Sequence, residues 1–128
     1  MIQNNSAIIY RQALNKTFIT AFNGIRYFFK TERNGKIQAC VAALVILTGL
    51  YFRLSSVDWI FILLCIGAVL GLEMINSALE HLCNLVHKEY HPVIKTIKDV
   101  SAGAVLFASI ISVLIGLIIF LPKIALLL

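Results

Sequence analysis

Glu73, Asn76 and Glu80 are the residues whose types and spacing could do chemistry. They lie in the stretch Glu73-Met-Ile-Asn-Ser-Ala-Leu-Glu80, inside a long apolar run. At about 3.6 residues per turn, all three fall on one helical face, with Ser77 beside them. Ionisable groups are costly in a membrane helix and mark function by default. Two carboxylates on one face can hold a divalent cation and take a proton from a hydroxyl. The plainer reading, that both point at water beyond the bilayer, carries less weight because such groups are so costly to keep in an apolar helix.

The elements that must position these groups belong to a membrane. The chain has 128 residues, 60% of them hydrophobic and 13% charged. A soluble domain carries roughly twice that charge. The net charge of +5 is not a nucleic-acid footprint, because the basic residues flank apolar segments as topology signals do. Cys40, Cys65 and Cys83 are odd in number and irregularly spaced, so they read as free thiols. The polar N-terminus shows no secretory signal.

Residues 1–6 read as frayed. From 7 to 30 a helical pattern runs without proline. Leu14, Phe18, Phe22, Ile25 and Phe29 recur at spacings of three and four, against Gln12, Lys16, Asn23, Arg26 and Lys30. A basic amphipathic helix of this kind suits the plane of a membrane interface. Thr31 to Lys36 reads as a charged hinge with Glu32 as its one acid. Three apolar spans follow, at about 37–52, 57–86 and 98–121. The first rises about 24 Å, slightly short of a hydrocarbon core of about 30 Å. The turn at Arg53 to Ser56 makes the second helix antiparallel to the first. Glu73 stands about 22 Å along that helix from Asp58, near the far interface, and Glu80 lies nearer water. His87 to His91 forms a polar turn, and Pro92 biases His91 toward extended geometry. Pro122 and Lys123 mark the exit of the last span.

Charge sets the orientation. Nine basic residues lie in the segment through Lys36 and in the loop after the second span, against Arg53 and Lys123 on the other side. That asymmetry puts the N-terminus and the His87–Lys98 loop in the cytoplasm. Five of the six acids then share that side, Asp58 being the exception.

No phosphate-cradling GxxxxGK[ST] loop, protein-kinase motif or Gly-rich dinucleotide loop occurs. A zinc site from His81, Cys83, His87 and His91 is disfavoured, because Pro92 interrupts the helix and no closed set of four ligands forms. What remains is a gathering of acids and bases at the cytoplasmic interface. Glu32, Glu73 and Glu80 could manage a metal and a proton, and Lys98 could neutralise a phosphate. Phosphoryl transfer needs positioning and charge neutralisation of that kind.

With these residues in view, the chain resembles the prokaryotic diacylglycerol kinase family of small integral-membrane lipid kinases, which includes undecaprenol kinases. The carrying motifs are Glu73-x-x-Asn76-x-x-x-Glu80, then Glu89-Tyr90-His91-Pro92, then Lys98-Asp99 running into Ser-Ala-Gly-Ala-Val-Leu. Upstream, FNGIRYFFKTERN fits the interfacial helix and its hinge acid. The resemblance covers about Lys16 to Leu121.

It implies an all-α membrane protein with an N-terminal interfacial helix and three transmembrane helices. It further implies a homotrimer whose active sites are composed between neighbouring protomers. The activity implied is ATP- and magnesium-dependent phosphorylation of a membrane lipid alcohol, undecaprenol or diacylglycerol, at the inner membrane. By the same resemblance Glu73 takes the catalytic-base position and Asn76 a polar position beside it. Glu32 and Glu80 take the metal positions and also face the nucleotide. Lys16, Glu89, Tyr90, His91, Lys98 and Asp99 match nucleotide-binding positions. The chain departs from the family pattern at Asn84, where many members carry Asp, and at Ala13 and Thr20 in the interfacial helix. The ERN hinge and the HPxxKxxKDVxAGAV stretch lean toward the undecaprenol-kinase branch. A different class of function, an oligomeric pore with a glutamate-lined lumen, would use the same acids for conduction. A lipid phosphatase is disfavoured by the lack of a positioned Arg/His nucleophile set.

Overall fold

The computed structural model describes the backbone of residues 3–126 and the side chains of residues 13–126. The described residues form four α-helices: α1 Gln3–Thr31, α2 Arg33–Tyr51, α3 Ser56–Val86 and α4 Pro92–Ala125. The last three are each long and apolar enough to cross a membrane. Residues 3–6, expected to fray, are helical. The expected hinge at 31–36 shrinks to Glu32 alone, because Arg33, Asn34, Gly35 and Lys36 form the first turn of α2. Long charged side chains are good helix formers, so a charged run does not by itself make a turn.

The chain divides into two compact units, residues 1–33 and 34–128. In the first, Leu14, Phe18, Phe22 and Ile25 stand exposed along α1. Thr17 and Thr20 turn their hydroxyls back onto the carbonyls of Ala13 and Lys16, at 2.9 and 2.8 Å. These hydroxyls are therefore engaged by their own helix.

The second unit is built on the pairing of α3 with α4. Ile62, Val69, Glu73, Asn76 and Cys83 are the buried residues of α3, spaced by seven, four, three and seven. Ser101, Val105 and Ile119 are their counterparts on α4. Such spacing is one stripe on each helix, meeting in a single seam. The seam is apolar toward Ile62 and Ile119 and polar toward Asn76 and Ser101. Asp58 meets Lys123 at 3.6 Å and Asn84 meets Lys98 at 2.6 Å, so residue numbers run in opposite directions and the helices are antiparallel.

Three helices converge at the apolar end. Leu54, Ile62 and Ile119 form its buried centre, with Val45, Phe52, Trp59 and Phe120 packed around them. The turn that delivers α2 into this cluster is a helix-ending motif. Leu54 N–H donates to the Gly49 carbonyl and Arg53 N–H to the Leu50 carbonyl, both at 3.1 Å. Arg53 takes the left-handed position, φ 50°, where glycine is the usual occupant. Ser55 then caps α3 reciprocally: its side chain accepts from Asp58 N–H, and Asp58 Oδ2 accepts from Ser55 N–H, each at 3.2 Å. A groove of about 270 Å³ runs between α2 and the pair and borders the cluster, lined by Val41, Val45, Val69 and Ser112 among others.

α4 continues past Pro122, the residue the sequence reads as the exit of the last span. Pro122 lies inside the helix, which continues to Ala125. Proline removes one ladder bond, and a membrane helix tolerates that near its end by local adjustment.

Gly49 is where α2 approaches most closely. A Cβ there would meet Leu54 Cδ1 at 2.9 Å and the Trp59 ring at 3.0 Å. Both neighbours belong to the cluster, so neither yields freely. Gly49→Ala is expected to cost about 1–3 kcal/mol through overpacking. Thermal unfolding of the detergent-solubilised protein would show it as a lowered midpoint, and an unchanged midpoint would refute the close approach.

Candidate active site

The polar end of the α3–α4 seam holds the residues singled out by the sequence. Glu73 is 5% exposed and Asn76 6%, while Glu80, one turn on from Asn76, is exposed. The burial of the first two follows from their place on the stripe that faces α4. Asn76 Nδ2 donates to Glu80 Oε1 at 3.3 Å. Ser101 Oγ donates to Asn76 Oδ1 at 2.6 Å. The two bonds are mutually consistent. A carboxylate can only accept, so the Asn76 amide must turn its NH₂ to Glu80, leaving its oxygen for a hydroxyl donor. Ser101 Oγ also lies 3.0 Å from the carbonyl of Lys98, one turn earlier on α4.

Glu73 differs from Glu80. Among the described residues no hydrogen bond engages its carboxylate, although it lies almost wholly within the seam. A buried carboxylate with free lone pairs is a proton acceptor awaiting a donor. Glu80 keeps one oxygen for Asn76 and presents the other toward solvent.

On the α4 side, Lys98 Nζ donates to Asn84 Oδ1 at 2.6 Å, bridging the start of α4 to the last turn of α3. Asp99 is held differently, in an ion pair with Lys95 on its own helix, and both of those side chains are well exposed. The connector between the helices is extended at both ends, at His87 and His91. Pro92 follows as the first helical residue, where its missing N–H costs nothing. Glu89, Tyr90 and His91 are exposed there, and the rings of His87 and His91 meet edge-on with centroids 5.4 Å apart. Among the described residues no hydrogen bond joins Glu89, Tyr90 or His91 to the α3 carboxylates. Lys16 and Glu32 belong to the first unit. Lys16 is exposed on α1, and Glu32 is half-buried at the break after α1, its N–H donating to the Phe28 carbonyl at 2.9 Å.

The structure therefore assembles Asn76 with Glu80, and Lys98 with Asn84, while engaging Asp99 elsewhere. Ser101 is the member that the sequence motifs alone do not single out. Its signal was its place three residues after Lys98, on the same face of α4 as that lysine.

An integral-membrane kinase is the class defined by three span-length helices carrying this arrangement of carboxylates, carboxamide and lysine. The chain belongs to the prokaryotic diacylglycerol kinase family, whose family model matches residues 19–120. Membership makes it a membrane-bound lipid kinase. It is 42% identical over 117 residues to the undecaprenol kinase of Bacillus subtilis, covering 89% of this chain and 95% of that relative. It is 36% identical over 107 residues to a diacylglycerol kinase of Synechocystis sp., covering 83% of this chain and 61% of that relative.

The Ser101–Asn76 bond spans two helices and is buried. Ser101→Ala leaves the Asn76 oxygen without its donor, at an expected cost of about 1–3 kcal/mol. A double-mutant cycle with Asn76→Ala, read by thermal unfolding, should give a clear coupling energy. Strict additivity would mean that the bond contributes nothing.

Proposed function

We propose that the chain transfers the γ-phosphoryl group of ATP to the hydroxyl of a membrane lipid alcohol, with undecaprenol favoured over diacylglycerol. Glu73 is the general base. It takes the proton as the lipid oxygen bonds to the γ-phosphorus, while the bond from that phosphorus to the β–γ bridging oxygen breaks and ADP departs. The observation that carries this reading is Glu73 itself: a carboxylate 5% exposed, with no hydrogen bond described for it, beside the Asn76–Glu80 pair. Proton transfer needs an acceptor held within reach of the hydroxyl and not already engaged.

Asn76 steadies Glu80 through its amide. Glu80, joined by Glu32, would hold a magnesium ion, which supplies charge neutralisation on the nucleotide phosphates when bound. The donor set suits that ion. Glu80 is exposed and offers one unshared oxygen, and magnesium commonly takes one or two carboxylates with waters and phosphate oxygens. Lys98 meets the phosphates as a point charge. Lys16, Glu89, Tyr90, His91 and Asp99 contribute nucleotide contacts.

In this reading α1 lies along the cytoplasmic face of the inner membrane, with its exposed Phe18 and Phe22 in the headgroup layer. The basic residues of the first unit and of the α3–α4 connector favour that face. Exposed apolar surface on all three long helices leaves room for neighbouring copies, and a homotrimer is the assembly we propose. The lean toward undecaprenol draws support from the 42% identity to an undecaprenol kinase, against 36% for the diacylglycerol kinase.

Two variants separate the roles. Purified protein in mixed micelles is offered labelled ATP and either lipid, with and without magnesium. Glu73→Gln should lower turnover by about 10²–10⁴-fold, the usual range for a lost general base, with thermal stability retained. Residual turnover above a tenth of the parent would move the base elsewhere, and an ion conductance altered by this variant would favour a pore. Glu80→Ala should raise the magnesium concentration needed for half-maximal activity. Full activity at limiting magnesium would remove Glu80 from the metal site.

A further inference from the structure

We infer that Asn84 is a positioning residue that presents Lys98 to the nucleotide with its charge uncompensated. The inference rests on the ATP-dependent reading above and adds a residue to it. Two lysines stand on the first turns of α4, and the structure treats them oppositely. Lys95 is ion-paired with Asp99, so a carboxylate already answers its charge. Lys98 reaches across to α3 and donates to the carboxamide oxygen of Asn84 at 2.6 Å. A carboxamide is a neutral acceptor. It fixes the direction of the ammonium and uses one of three donors, leaving two N–H groups and the full positive charge for an incoming anion.

The place of Asn84 supports the same division of labour. It lies in the last turn of α3, at the rim where the connector begins. Along α3 it stands eleven residues from Glu73, about 16 Å. That separation exceeds any hydrogen-bonded contact with the transferred phosphoryl group. Lys98, held at the level of Asn84, addresses the nucleotide away from the reacting bond. Its charge therefore acts on nucleotide affinity, and the chemical step is left to the residues around Glu73.

An aspartate at 84 would keep the geometry and cancel the charge. Asn84→Asp is expected to raise KM for MgATP by about three- to fivefold, the range of an exposed ion pair, with kcat and the KM for lipid unchanged. Stability should hold or rise, because the variant gains an ion pair with Lys98. A purely structural role would move stability and nucleotide affinity in the same direction. Asn84→Ala should also raise KM for MgATP, and in a Lys98→Met background it should add nothing further. The assay is the same micellar phosphate transfer, paired with thermal unfolding of each variant. An unchanged or lowered KM for MgATP in Asn84→Asp overturns the inference. So does an Asn84→Ala effect that persists without Lys98. A parent chain that labels no lipid removes the ATP-dependent reading and this inference together, whereas an active parent with an unaffected Asn84→Asp removes this inference alone.

Discussion

The second unit depends on how closely α3 and α4 can approach at Asn76 and Ser101. Lipid tails are as apolar as leucine, so no hydrophobic force draws two membrane helices together; packing and interhelical hydrogen bonds must do it. Here a 2.6 Å bond from a serine hydroxyl to a carboxamide oxygen lies buried in the seam. That bond fixes the amide, the amide turns its NH₂ to Glu80, and Glu73 is buried on the same stripe one turn below. The same contact that joins the helices thus orders Asn76 and Glu80 beside Glu73.

The two ends of the seam share the work unequally. Toward Leu54, Ile62 and Ile119, apolar side chains from three elements interlock, and the turn through Arg53 locks α2 against Trp59. Toward Asn84 and Lys98, the contacts are polar and partly exposed. A rigid apolar end suits a scaffold, and a polar, accessible end suits the exchange of a ligand with water, as the proposed function requires.

Much of this was legible in the chain. The spacing of Glu73, Asn76 and Glu80 puts them on one face, and Pro92 predicts the extended His91; the helix itself begins at Pro92, ahead of the span expected at about 98–121. The face opposite them was not legible. Periodicity tells which side of a helix is buried, yet not which residue of a distant helix stands against it. Ser101 is 25 residues from Asn76, and Lys98 is 14 from Asn84. Those pairings follow from the antiparallel register of α3 on α4, which also brings Ile62 to Ile119 and Asp58 to Lys123. The six-residue hinge shrinks to one residue for a local reason. Charge and proline weaken a helix, but apolar sequence on both sides carries it through.

The length of α4 has a consequence for the membrane itself. Its 34 residues extend about 51 Å, well beyond a hydrocarbon layer of about 30 Å. Some of the helix must stand proud of the layer or lean within it. Lys98 stands near the start of this helix and is partly exposed, while Glu73 is packed in the seam some three turns of α3 from Asn84. Hydrophobic mismatch therefore acts on the two halves of the site differently. Under the function proposed above, lipid composition would act on the Lys98 end of the seam before it acts on Glu73.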